Sequence, residues 1–202
     1  MKFIYLLVIT LNMVSCNSKS DNQKSIKRSD CIIFYKKFKE EVIKGQTKNA
    51  LIAIDKAINC DPNNESFKSN KLRLLIELSK YNEAIKLIDS YKSDDNSFKM
   101  LKAVLKLKNK DTKAIDLLRE CYNRYKNERE ITTDNLIYKI ALTNFFDGKE
   151  KALKEIETSR TNSIEENIKT NLDTLEELIN QYDKQNVLFK LYGISNPDSS
   201  DI

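Results

Sequence analysis

Gly45 to Asn64 reads GQTKNALIAIDKAINCDPNN. Apolar and small residues recur there at the three- and four-residue steps of one helix face, with Ala50, Ile54 and Ala57 as the marker positions. A glycine turn opens the stretch. Asp61-Pro62 closes it, because proline cannot continue a helix and moves its predecessor out of helical backbone. The outline returns in SKYNEAIKLIDSYKSDDN (Ser79 to Asn96), NKDTKAIDLLRECYNRY (Asn109 to Tyr125) and DGKEKALKEIE (Asp147 to Glu157). Each has a turn, then alanine followed by leucine or isoleucine, then a helical apolar pattern. The aligned alanines, Ala50, Ala84, Ala114 and Ala152, are 34, 30 and 38 residues apart. A period near 34 residues is that of a repeated helix pair.

With Cys31 as its first position, the first unit resembles the tetratricopeptide family. Phe34 stands at the large aromatic position, Gly45 at the interhelix turn, Ala50, Ile54 and Ala57 at the small, large and small packing positions, and Asp61-Pro62-Asn63-Asn64 at the close. The second unit keeps Tyr81, Glu83, Ala84, Ile85 and Ile88, with Asn96 where proline is usual. The third keeps Phe98, Leu101, Leu105, Ala114, Ile115 and Leu118, with Cys121 at a small position; the fourth keeps Leu136, Ala152 and Leu153. The expected fold is all-α: a TPR-like antiparallel helix-pair solenoid over residues 31–185. Its C-terminal capping helix is expected from Ser163 to about Tyr182, with Ser163 and Glu166 as a capping box. Residues 186–202 read as a short docking element, NVLFKLYG, and a disordered tail.

Composition agrees. Three glycines, two prolines and no tryptophan, with charged residues at 32%, suit a helical chain. The formal charge of +5 is spread along the chain, and no nucleic-acid motif appears, so no nucleic acid is expected as a partner.

The amino terminus reads as an address. Lys2 precedes an apolar run from Phe3 to Leu11, too short for the roughly 20 residues that span a bilayer, and this is the layout of an export signal. Met13-Val14-Ser15-Cys16 resembles the lipobox of bacterial lipoproteins, Met13 replacing the commoner leucine. The resemblance implies removal of residues 1–15 and a covalent diacylglycerol and acyl chain on Cys16. Several chains at one terminus hold a protein firmly, at about 0.8 kcal/mol per buried methylene. Asn17 in place of Asp points to the outer membrane rather than the inner. Residues 16–30, polar apart from Ile26, read as the lipidated cysteine and a flexible tether.

Chemistry-bearing patterns are few. Without any histidine the chain lacks the commonest general base and metal ligand. Adjacent carboxylates such as Glu40-Glu41 and Glu165-Glu166 point to different helix faces and form no acid/base pair. No glycine loop cradles phosphate, and no cysteine pair has zinc spacing. No catalytic residue, metal site or further cofactor is expected, and no enzyme activity. Cys31 and Cys60 fall where the ends of an antiparallel pair meet. A disulfide and two free thiols are both compatible with that. Cys121 reads as core.

The resemblance further implies a concave groove lined by the first helix of each unit. The candidate partner-binding residues are Tyr35, Lys36, Lys39, Asn70, Arg73, Lys99, Lys106 and Tyr138, with Met100, Ala103, Ile137, Ala141 and Asn144 among the other lining positions. The carboxylate clamp of chaperone-binding relatives is lacking apart from Asn70. The expected role is a lipid-anchored scaffold or adaptor in the bacterial envelope, on the periplasmic side, binding a protein or peptide partner. One alternative is an immunity or inhibitor lipoprotein against an envelope toxin. Glycan capture is a further alternative, disfavoured by the lack of tryptophan.

Overall fold

The computed structural model describes residues 19–91, 95–128, 132–162 and 165–194, with the backbone alone for 19–30 and 162. The expected signal segment, Cys16 and the residues from 195 on lie outside this range. Ten helices and no strand are found among the described residues. The chain divides into two compact units, one through Phe67 and one from Lys68, inside the range the sequence assigns to a single repeat domain.

The first unit is the helix pair α1 (Lys19–Ile43) and α2 (Thr47–Cys60). Ala50, Ile54 and Ala57 have no exposed surface, and Ala53, Phe38 and Cys31 are buried with them. Small side chains on α2 let it lie close against α1. The Tyr35 ring packs 5.7 Å from Phe38 and 4.8 Å from Phe67. Cys31 and Cys60 are disulfide-bonded, their Cα atoms 5.3 Å apart. The bond joins the middle of α1 to the last residue of α2, and of the two thiol states the sequence left open, the bonded one is present. One expectation is corrected: α1 begins at Lys19, so residues 19–30 continue a helix where a flexible tether was expected. Once the packed part has nucleated a helix, each added residue gains a backbone hydrogen bond without a new nucleation penalty.

Glu41 secures the other end. It is 3% exposed yet charged, and Lys37 Nζ lies 2.6 Å from one oxygen while Asn49 Nδ2 donates to the other at 3.2 Å. The Lys37 hydrogen bond holds the carboxyl below its ordinary 4.5; burial opposes this and Asn49 assists. A carboxyl lowered in the folded state stabilises fully above its unfolded value and loses that contribution as pH falls through the folded value. Urea midpoints at pH 6 and pH 3 should therefore differ less for Glu41→Gln than for the parent.

The second unit contains the rest of α3 (Glu65–Glu77), α4 (Tyr81–Ser90), α5 (Asn96–Lys108), α6 (Ala114–Asn127), α7 (Thr133–Phe146), α8 (Lys149–Asn162), α9 (Glu166–Gln181) and α10 (Lys184–Leu191). From α4 to α9 each helix packs against its successor, a helical-hairpin solenoid. The aligned alanines Ala84, Ala114 and Ala152 have no exposed surface. Helix α9 lies against both α7 and α8 and is fixed by Arg160, which pairs with Asp173 at 2.8 Å and with Glu176. Glu165 is the N-cap of α9 and makes no side-chain cap bond. Ser163 lies outside the described residues.

The turns repeat in backbone form more faithfully than in sequence. Gly45, Ser79 and Lys110 all have positive φ, 69°, 56° and 58°. Each donates to the carbonyl three residues back, and the next residue donates five back, the bonding of a glycine-type helix end. A residue with a Cβ pays about 1–2 kcal/mol there, partly offset because glycine loses more freedom on folding. Lys110→Gly should therefore stabilise by about 0.5–1 kcal/mol, read as a raised urea midpoint.

Candidate partner-binding groove

Helices α5, α7 and α9 are the alternate members of the second unit's helix series, and α10 packs against all three. Helix α10 is closed at both ends by its own residues. The Asp183 carboxylate accepts from the backbone N–H groups of Gln185 and Asn186, at 2.9 and 3.1 Å. At the other end Gly193, at φ 63°, donates to Lys190 and Ile194 donates to Phe189. Val187, Leu188, Phe189 and Ile194 are buried.

Tyr138 was expected to face an open groove. Instead its ring stacks on Tyr192, at 5.6 Å and 9° between planes, and lies 6.2 Å from Tyr125. Met100, Ala103 and Ala141 have no exposed surface, and Ile137 and Asn144 are also buried. In this unit α10 packs on α5 and α7, helices assigned to the groove lining. Two cations frame the seat: Lys108 Nζ lies 4.9 Å from the Phe189 ring centre, and Lys184 Nζ lies 5.2 Å from that of Phe145. Neither Lys108 nor Phe189 was singled out from the sequence.

Beneath Tyr138 the surroundings are apolar with buried hydroxyls. The Tyr125 hydroxyl is buried without a hydrogen-bond partner among the described residues. Burial raises the pKa values of Tyr125, Tyr138 and Tyr192, and pushes the Cys121 thiol up to about 11. Cys121 is core, free and buried. Such a thiol is a poor nucleophile, because the thiolate is the reactive form.

In the first unit Lys36 is exposed, while Lys39 Nζ sits 4.7 Å from the Tyr35 ring centre. In the second, Arg73 reaches Glu77 at 3.6 Å, with both side chains exposed. Lys106 pairs with Asp111, whose carboxyl it holds below the usual range. These two also line a surface cavity of about 600 Å³ with Asn82, Ile85, Lys86 and Asn109. Asn70 and Lys99 are half-buried.

A separate polar network ties α6, α7 and α8. The Tyr122 hydroxyl donates to Asp147 at 2.9 Å and lies 3.1 Å from the Thr143 hydroxyl, which donates to Glu155 at 3.0 Å. Lys139 pairs with Glu155, and Lys151 with Asp147. Every carboxylate in it has a cationic partner, as a structural network requires.

No protein-family model matches the chain, and neither a curated protein nor a solved structure does.

Proposed function

We propose that the chain is a lipid-anchored, tetratricopeptide-like scaffold of the bacterial envelope that binds a protein partner through its helix layers, without bond-making chemistry. The observation that carries the binding role is the layer of α5 and α7, which holds an amphipathic helix by apolar burial, ring stacking and cation–π contacts. Buried alanines at the repeat position and the recurring left-handed turn support the family likeness. Anchoring rests on Ser15-Cys16 at the end of the short apolar run. The Cys31–Cys60 bond supports an oxidising compartment, since such bonds persist outside the reducing cytosol. No described helix is long and apolar enough to cross a membrane.

Fractionation tests the anchor. The tagged full chain should sediment with membranes and carry the mass of a lipidated Cys16, and Cys16→Ala should be released. Crosslinked capture from native membranes tests the scaffold role. One envelope protein should be enriched by the parent and lost with a Tyr138→Ala, Lys108→Ala double variant. Equal recovery by both would reject the groove as the binding surface.

A further inference from the structure

Helix α10 differs from the other helices of the second unit in how it is held. It is eight residues long, below the length at which a helix is stable alone in water. A two-residue connection, Tyr182–Asp183, joins it to α9. Its cap bonds are internal, so it carries its own ends with it when it moves. It buries Val187, Leu188 and Phe189, with Ile194 just beyond it, and meets α5 and α7 through the Tyr192 stack on Tyr138 and the two cation–ring contacts. If it leaves, α9 still covers α7 and α8, with Arg160 pairing it to α8. The helix stack keeps its cap, and the seat on α5 and α7 marked by Lys108, Tyr138 and Phe145 opens.

We propose that this seat is a receptor groove for a short amphipathic helix, that α10 occupies it as a resident ligand, and that a partner helix of the same chemistry exchanges with it. The inference deepens the scaffold reading by naming the kind of partner. The contacts define that partner. It carries three consecutive apolar residues, the last an aromatic under Lys108. One turn on, it presents a second ring to Tyr138. At its amino end a cation reaches Phe145. A chain that covers its own groove keeps an apolar surface from water until a competing helix arrives. The short tether gives α10 an effective concentration in the millimolar range, so only a partner that outcompetes this is admitted.

The test uses the full chain and a fluorescein-labelled peptide of residues 183–194. Leu188→Asp puts a charge into the seat and ejects α10. The parent chain should bind the peptide at least about 100-fold more weakly than the L188D chain, because its own α10 competes at high effective concentration. Adding Tyr138→Ala or Lys108→Ala to L188D should weaken peptide binding by about threefold to tenfold. An L188D chain that keeps its helix content and cooperative melting yet binds no better than the parent would overturn the proposal. Should L188D fail to fold, a protease site is inserted after Tyr182 in the otherwise unaltered chain, which is then cut in the folded state. The expected result is reversible release and rebinding of the cut segment by a folded remainder. Release only on global unfolding would overturn the proposal. Peptide exchange requires no envelope partner. Failure of the membrane capture therefore leaves this result standing, and failure of exchange leaves the anchor untouched.

Discussion

Replacing Cys31 and Cys60 together by alanine lowers the stability of the first unit by about 3–4 kcal/mol. The two cysteines are 29 residues apart in sequence and join the middle of α1 to the last residue of α2. Cutting the bond restores loop freedom to the unfolded chain, and a loop of this length sets the magnitude. The effect is large relative to what else holds the unit. Its core is small and rich in alanine, with Ala50, Ala53, Ile54, Ala57 and Phe38 among its buried residues, and small cores bury too little apolar surface to stand easily alone. Urea unfolding followed by helical circular dichroism reads the change. The parent in reducing agent should match the double variant, because the other described cysteine, Cys121, is free in both. Equal midpoints for oxidised parent and double variant would mean that the bond restrains nothing.

The helix pairs were legible in the sequence because each pair needs one position where no side chain larger than alanine fits. Ala50, Ala84, Ala114 and Ala152 mark it, and all four are fully buried. The turns before them were less legible. The left-handed position is glycine at 45 but serine at 79 and lysine at 110, residues that tolerate the conformation at a cost and therefore leave no signature. The start of α1 was missed for a related reason. Polar residues 19–30 have no apolar face to announce a helix, and it is continuity with the packed part that extends it.

The seat of α10 was not legible: NVLFKLYG was expected to dock, and α10 packs on α5, α7 and α9. Met100, Ala103, Ile137 and Ala141 are apolar residues among the lining positions of a groove whose other candidates are mostly basic. That mismatch was the available sign that something covers them. Helix α7 carries a second sign. Ile137 and the unbroken run from Ile140 to Phe145 are buried, so its pattern lacks the one-sided stripe of a surface helix. Three of the basic candidates have neighbours that the sequence does not show: Lys39 rests on Tyr35, Lys106 pairs with Asp111 and Arg73 with Glu77. Sequence counts charges and cannot see their partners.

The all-round burial of α7 makes it the place where a single truncation does most harm. Leu142→Ala should destabilise the second unit by about 3–5 kcal/mol. Leu142 has no exposed surface, and α7 is packed by α6, α8, α9 and α10. The loss has two parts, the transfer energy of the removed carbons and the cavity they leave, and the second depends on whether neighbours can close in. Here they are held: the Tyr122–Thr143–Asp147 bonds pin α6 to α7, Thr143 and Lys139 pin α7 to α8 through Glu155, and Arg160 pins α9 to α8. A fixed cage keeps the cavity open, which places the cost at the upper part of that range. Ile115→Ala, at a residue 41% exposed on α6, removes a similar volume from a site with solvent on one side and should stay within about 0.5 kcal/mol of the parent. Urea midpoints of the two variants compare the two sites directly. Similar losses for both would mean that α7 is no more enclosed than the outer face of α6, and would remove the ground for placing α10 upon it.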